Sequence, residues 1–176
     1  LVFGRRSGEH AAEWVKEQSR SSIGESVEVE EQSRLQAILD RKDGELFGPV
    51  RMELGQTMNK HLAVYRDQAG MESAKEALYE LKERYRRVIV HDKGRVFNTN
   101  LIFTLELGFM LDCAETIIAG ALERKESRGA HTRTDIPDRN DSEWLKHIVV
   151  TKDGEGASID HVPVTITQWE PQERKY

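Results

Sequence analysis

Residues 101–122, LIFTLELGFMLDCAETIIAGAL, form the most apolar stretch of the chain. Its length would suit a membrane span, but Glu106, Asp112 and Glu115 interrupt it. Carboxylates near the middle of a span are costly in lipid, so the stretch reads as a buried helix of a water-facing fold. Ile102, Leu105 and Phe109 fall on one side of that helix, and Leu111, Ile118 and Leu122 on another. A helix apolar almost all round belongs in the middle of a bundle. Asn98 is its expected N-cap, and it should run to about residue 125.

The helices around it follow from periodicity and punctuation. A first helix is expected from about residue 2 to 19, with Phe3, Ala11, Ala12, Trp14 and Val15 as its apolar content. Gly4 and Gly8 lie one turn apart, and a helical glycine costs about 1 kcal/mol relative to alanine. A packing reason is therefore expected, namely close approach of another backbone. Serines and Gly24 form a linker, and Ser26 is the expected cap of a helix over 27–42 bearing Leu35, Ile38 and Leu39. Gly48-Pro49 should open the next helix, in which Met52, Leu54, Met58, Leu62 and Tyr65 reach to about residue 67. Gly70 is expected to break it, and a further helix over 71–90 carries the stripe Ala74, Leu78, Leu81, Tyr85 and Val88. After residue 126 periodicity ends. Asp141 or Ser142 should cap a single turn containing Trp144, and 148–151 and 162–167 read as strands joined through Asp153-Gly154. Pro163 makes the second an edge strand, and a polar tail follows Trp169. The fold class is mainly α: an antiparallel bundle of about three long helices with a loop-rich tail and a minor β-hairpin.

Composition removes several functions. The net charge of -5 argues against nucleic acid as partner, since phosphate contacts need clustered Lys and Arg. Cys113 is the single cysteine, which excludes an intramolecular disulfide and any cysteine-based zinc or iron–sulfur site, and makes the cytosol or the cytosolic face of a membrane the natural compartment. No two of the six histidines lie three or four apart on one helix, so no two-histidine metal face exists. The Gly4-Arg5-Arg6-Ser7-Gly8 run lacks a preceding strand and a phosphate-loop spacing. Glu106 and Asp112 do not share a helix face, and structural ion pairing fits the acidic residues of this helix better than acid–base work. The chain begins at Leu1 without an initiator methionine, and an expressed piece or a processed chain is expected.

Residues 126–139, ESRGAHTRTDIPDR, are the least bland stretch. Arginine offers planar, fixed donors, and Gly129 allows close approach. One reading is a contact with a neighbouring domain, subunit or anionic ligand. The other is a loop locked by its own pairs, such as Arg133 with Asp135. Both stay open here.

The same stretch carries a resemblance. Glu126 to His131, Arg133, Asp135, Pro137, Arg139, Trp144, Leu145 and His147 stand as in the late signature of succinate dehydrogenase and fumarate reductase flavoproteins. Phe97-Asn98-Thr99, Leu105-Glu106-Leu107 and Met110-Leu111 resemble the same family, as does Leu1-Val2-Phe3-Gly4-Arg5. Asn140 departs from the family's more usual Asp. L-aspartate oxidase resembles this architecture too, but Ala130, the Arg133-x-Asp135 spacing and the Trp-Leu-x-His continuation favour the respiratory enzymes. A stand-alone helical adaptor is the rival from another class.

The resemblance implies a scaffold. The family's FAD-holding, substrate-clamping and proton-relaying motifs lie before the position matching Leu1, so no catalytic, cofactor-binding or metal residue is assigned. FAD is expected in the full-length subunit and not in this chain. The implied partners are its own FAD-binding domain, the iron–sulfur subunit and, indirectly, membrane-anchor subunits, with the complex peripheral on the cytoplasmic side. Arg128, His131 and Arg133 are the expected interdomain contacts. The implied division is 1–26, a helix and linker that pack on the FAD domain; 27–125, the bundle; and 126–176, the irregular tail. Exposed apolar faces make a homodimer of the isolated chain an expectation as well.

Overall fold

The computed structural model describes residues 1–94, 96–154 and 156–172, so residues 173–176 of the expected polar tail lie outside the described residues. Six helices and four strands occur among them: α1 (Val2–Lys16), α2 (Glu25–Asp40), α3 (Phe47–His61), β1 (Tyr65–Arg66), α4 (Gln68–Tyr85), α5 (Thr99–Glu123), β2 (Thr132–Arg133), α6 (Asp141–Trp144), β3 (Lys146–Asp153) and β4 (Gly156–Pro163). No described helix is long and apolar enough to cross a membrane. The chain divides into two compact units, Leu1–Ala37 and the remainder from Ile38 onward.

The first unit holds α1 and most of α2. No residue of α1 is buried, and Phe3, Trp14 and Val15 are exposed on it. Nothing lies within 4 Å of a Cβ built at Gly4 or Gly8. Within the described chain, then, those glycines have no close neighbour. Ser26 is not a cap, because α2 already starts at Glu25 and places Ser26 in its first turn.

The second unit is the bundle of α3, α4 and α5. Both neighbouring pairs run antiparallel: Glu53 meets Arg84 while His61 meets Gly70, and Lys82 meets Glu115 while Gln68 meets Lys125. Val50, Leu54, Met71, Leu78, Leu107, Leu111 and Ile118 fill the space between the helices. Each such side chain contributes about 1.5–3 kcal/mol by leaving water. Asn98 caps α5 as expected, its side-chain oxygen accepting from Leu101 N at 2.8 Å.

Several expected boundaries move, each for a local reason. The helix expected to reach residue 67 stops at His61, and Tyr65 lies in β1 instead. Gly70 does not break a helix. It sits in the first turn of α4 and donates its N–H to the cap Asp67 at 2.7 Å. The far end of α4 is Tyr85 rather than residue 90: Arg41 donates to the Tyr85 and Val88 carbonyls, and Ile89 N pairs with Glu45 O. Val88 and Val90 are buried all the same, as extended chain. Asn140, not Asp141 or Ser142, caps α6.

The hairpin is also displaced. Asp153 pairs with Gly156 and Lys146 with Pro163, so the second strand starts immediately after the turn and ends where 162–167 was expected to begin. A tight turn at Gly154, φ +59°, fixes that register over the β-branched run beyond it. The hairpin packs on α5 through Val150, which lies 3.8 Å from a Cβ built at Gly120, and through a His161–Glu123 pair at 3.0 Å.

The largest correction concerns α5 itself. Its buried face is Thr104, Leu107, Leu111, Ala114, Ile118 and Ala121. Ile102, Phe109 and Ile117 face outward, with Phe109 60% exposed, while Phe103 at the edge of the buried face meets the Phe47 ring at 5.6 Å. Within the described residues only one side of this helix is covered.

Candidate functional site

The loop after α5 is built around one buried anion. Arg124 ends the helix with extended backbone, turning the chain so that Glu126 points inward, its side chain wholly buried. Glu126 accepts from Arg124 Nη1 at 2.6 Å, from Arg128 Nε and Nη2 at 2.6 and 3.0 Å, and from Asn140 N at 2.8 Å. Burial opposes its charge most strongly, yet the two guanidinium groups and the Asn140 amide together hold its carboxyl below the usual carboxylate range. Arg124 also donates to the Trp144 and Lys146 carbonyls at 3.1 and 2.8 Å and lies over the Trp144 ring. One carboxylate thus ties the helix end to α6 and β3.

Arg128, Gly129, Ala130 and His131 form a tight reversal. Arg128 N donates to His131 O at 2.9 Å and His131 N returns to Arg128 O at 3.1 Å. Gly129 makes it possible with φ +61°, a region costly for residues with a Cβ. Beyond the turn, Ser127 Oγ donates to Ile136 O and accepts from Arg133 N, both at 2.8 Å.

The chain then pairs with a distant segment. β2 lies parallel to β1, Tyr65 opposite Thr132 and Arg66 opposite Arg133, with Thr132 N donating to Val64 O and Thr134 N to Arg66 O. Asp135 accepts from Gln68 N at 2.9 Å, at the start of α4. Its carboxyl is held far below the usual range, chiefly by the guanidinium of Arg133.

The three expected contact residues differ in place. Arg128 spans Glu126 and Asp141 and remains partly exposed. Arg133 is turned inward with a relative exposure of 1%, forked on Asp135 at 2.7 Å twice and reaching Gln68 Oε1 and Arg124 O at 3.2 Å each. The self-locking pair of Arg133 with Asp135 therefore exists. His131 is half-buried. Its Nδ1 accepts from Arg66 Nη1 at 3.0 Å, which leaves the ring proton on Nε2, a buried atom with no hydrogen-bond partner among the described residues. Burial, and after it the charge of Arg66, pushes the His131 imidazole below its ordinary value, so the ring is neutral.

Arg66, Gln68 and Arg124 are members of this site that sequence reasoning missed. Arg124 stands two residues before Glu126 and Arg128 two after, and that flanking of an acid by two arginines was a usable signal. Arg66 and Gln68 had none, because the pairing that brings them here is two residues long. Lys82 of α4 pairs with Glu115 of α5 at 2.6 Å and with Asp112 at 3.7 Å, so these two acids tie the helices together, while Glu106 is exposed. No three His, Cys, Asp or Glu residues converge as a metal site among the described residues. What the loop offers chemically is a rigid array of paired charges with a half-buried guanidinium and a neutral imidazole at its surface.

Comparison with known proteins places this geometry. The sequence model of the family described as "Fumarate reductase flavoprotein C-term" matches residues 51–176. The fumarate reductase flavoprotein subunit of Haemophilus influenzae is 41% identical over the whole chain, which covers 30% of that protein. The succinate dehydrogenase flavoprotein subunit of Rickettsia conorii is 36% identical over 95% of the chain and 28% of its own length. Among solved structures, a variant of the E. coli quinol fumarate reductase FrdA superposes with a TM-score of 0.90 at 34% identity, over 98% of this chain and 30% of that one. The chain thus spans about a third of the length of the relatives it matches.

Proposed function

The chain belongs to the family of fumarate reductase and succinate dehydrogenase flavoprotein C-terminal domains, and from that premise we propose that it is the scaffold and contact surface of a subunit interconverting succinate and fumarate. In this reading, electrons pass through FAD to an iron–sulfur subunit and on to quinone, with the flavoprotein peripheral on the cytoplasmic side of the membrane. Both fumarate reductases and succinate dehydrogenases match along almost the whole chain, so the direction of the reaction is left undivided. The observation that carries the reading is that the superposition on FrdA runs over 98% of the chain, loop and hairpin included.

FAD does not fit the residues described here. The glycine run Gly4 to Gly8 lies inside α1 rather than in a loop between strand and helix, so it does not form the strand–loop–helix cradle of a dinucleotide site. The cofactor and the chemistry fall to the rest of the subunit, and residues 1–26 are proposed to pack on that flavin-binding domain. Residues 27–125 supply the bundle and 126–176 the tail. Arg128 and His131 are the proposed direct contacts of the loop. Arg133 serves the same contact from within, by holding β2 against β1.

Restoring the full-length subunit and replacing Arg128 by Ala tests this directly. Flavin content and assembly with the iron–sulfur subunit should both be measured, with at least one falling severalfold. Wild-type levels of both reject the loop as an interdomain contact. A full-length subunit without flavin or dicarboxylate turnover rejects the functional reading itself.

A further inference from the structure

Five arginines surround the loop, and four have a carboxylate partner: Arg124 and Arg128 on Glu126, Arg133 on Asp135, and Arg139 on Asp141. Arg66 is different. Its Nε donates to Ala63 O at 2.6 Å and its Nη1 to His131 Nδ1 at 3.0 Å, and no carboxylate pairs with it among the described residues. It is half-buried, and burial alone weakens its hold on its proton, with no anion acting the other way. Removing a cation from water without a counter-charge is unfavourable, so a position like this is normally completed by an acid.

The surroundings give the form of that acid. His131 is neutral and supplies no charge, but its Nδ1 holds one arm of the guanidinium while the Ala63 carbonyl holds Nε. The two residues before Arg66 are apolar and uncovered, Val64 at 49% and Tyr65 at 72% relative exposure, while Asp67 after it is taken up as the cap of α4. Gly129 and Ala130 are exposed nearby, with nothing within 4 Å of a Cβ built at Gly129. A cation beside uncovered apolar side chains suits a carboxylate embedded in a protein face better than a free anion, because those side chains gain only when another surface covers them. We propose that Arg66, steadied by His131, is the docking point for an aspartate or glutamate carried by the flavin-binding part of the same polypeptide. This rests on the functional reading above, in which that part makes up the other two-thirds of the subunit. A tethered partner meets the site at high effective concentration and keeps those apolar side chains permanently covered.

The test uses the full-length flavin-loaded subunit carrying Arg66→Lys, which keeps the charge and supplies an amine. Zero-length carbodiimide coupling joins an amine to a carboxylate in direct contact with loss of one water, and peptide mass spectrometry identifies the partner. The expected result is an amide from position 66 to an Asp or Glu upstream of this chain, absent from Arg66→Gln. Coupling only within this chain, coupling to another subunit, or no coupling overturns the proposal. As an independent measurement, Arg66→Gln should lower the flavin content of the purified full-length subunit severalfold, and an unchanged content overturns the proposal too. Sodium acetate or phosphate at matched ionic strength should leave the wild-type melting temperature where sodium chloride leaves it. A rise of several degrees that depends on Arg66 would assign the site to a free anion instead. The Arg128→Ala result separates the two readings: if that variant loses flavin while position 66 finds no upstream acid, only the present inference fails.

Discussion

Glu126 shows how one side chain can decide the shape of fourteen residues. Glu126→Gln keeps the volume but turns an amide N–H toward guanidinium donors and removes the buried anion that Arg124 and Arg128 share. Losing one partner of a buried pair is costly, and about 3 kcal/mol is expected here, read by urea denaturation of the full-length subunit. Acid should dismantle the same network. Glu126, Asp135 and Asp141 all have folded carboxyl values below their ordinary ones, Asp141 at about 2. Their contribution is therefore complete above the unfolded carboxylate range, near pH 4, and is lost as pH falls through the folded values. Trp144, the one buried tryptophan, should report this as a red shift of its fluorescence between about pH 4 and 2. His131 adds a slope of the same sign at higher pH. Its folded value lies below the ordinary 6.5, so protonation favours the unfolded chain, and stability should decline as pH drops below about 6.5. His131→Gln should flatten that decline, and an unchanged slope would show that the ring titrates freely.

At the scale of elements, the periodic helices were legible and their ends were not. The stripe from Ala74 to Leu81 lies in the core as its spacing requires, and Asn98 caps α5. Boundaries failed where a distant group competed with local preference. Arg41 draws the carbonyls at the end of α4, and β2 draws residues 65–66 out of helix. Neither partner has a signature in the local sequence. The hairpin was legible through its turn, but not its register, since β-branched residues lie on both sides of Pro163. Gly44 illustrates a constraint that only the folded chain reveals. Its φ is +154°, and an added Cβ would stand 1.8 Å from the Arg87 carbonyl oxygen, where segment 45 meets segment 88. Gly44→Ala should therefore destabilise the bundle by about 2 kcal/mol or more, measured as a lowered melting temperature, whereas Gly48→Ala meets open space and should be nearly neutral.

On the scale of the whole molecule, α5 explains why its sequence promised burial on two sides. Leu107 and Leu111 satisfy one side within the second unit, while Ile102, Phe109 and Ile117 leave the other apolar and open. Sequence composition records all the surface a helix loses in its working state, including what other parts of a larger protein cover. The chain expressed alone should bind an apolar dye or self-associate in sedimentation, and Ile102→Asn with Phe109→Ser should suppress both. Full-length subunit with the native residues should do neither. An isolated chain that stays monomeric and dye-free would show that this face tolerates water.

The short parallel ladder between β1 and β2 has a kinetic consequence. It joins segments more than sixty residues apart, and two rungs cannot compensate the entropy of closing so long a loop. The rungs become favourable only after the intervening helices have collapsed against each other. Protection of the Thr132 and Thr134 amides from hydrogen exchange should therefore appear late in refolding, after that of α4 and α5. A nascent polypeptide would then complete the contact proposed for Arg66 only when the helices behind it are already in place, so premature pairing with the proposed flavin-binding part is disfavoured by the order of assembly.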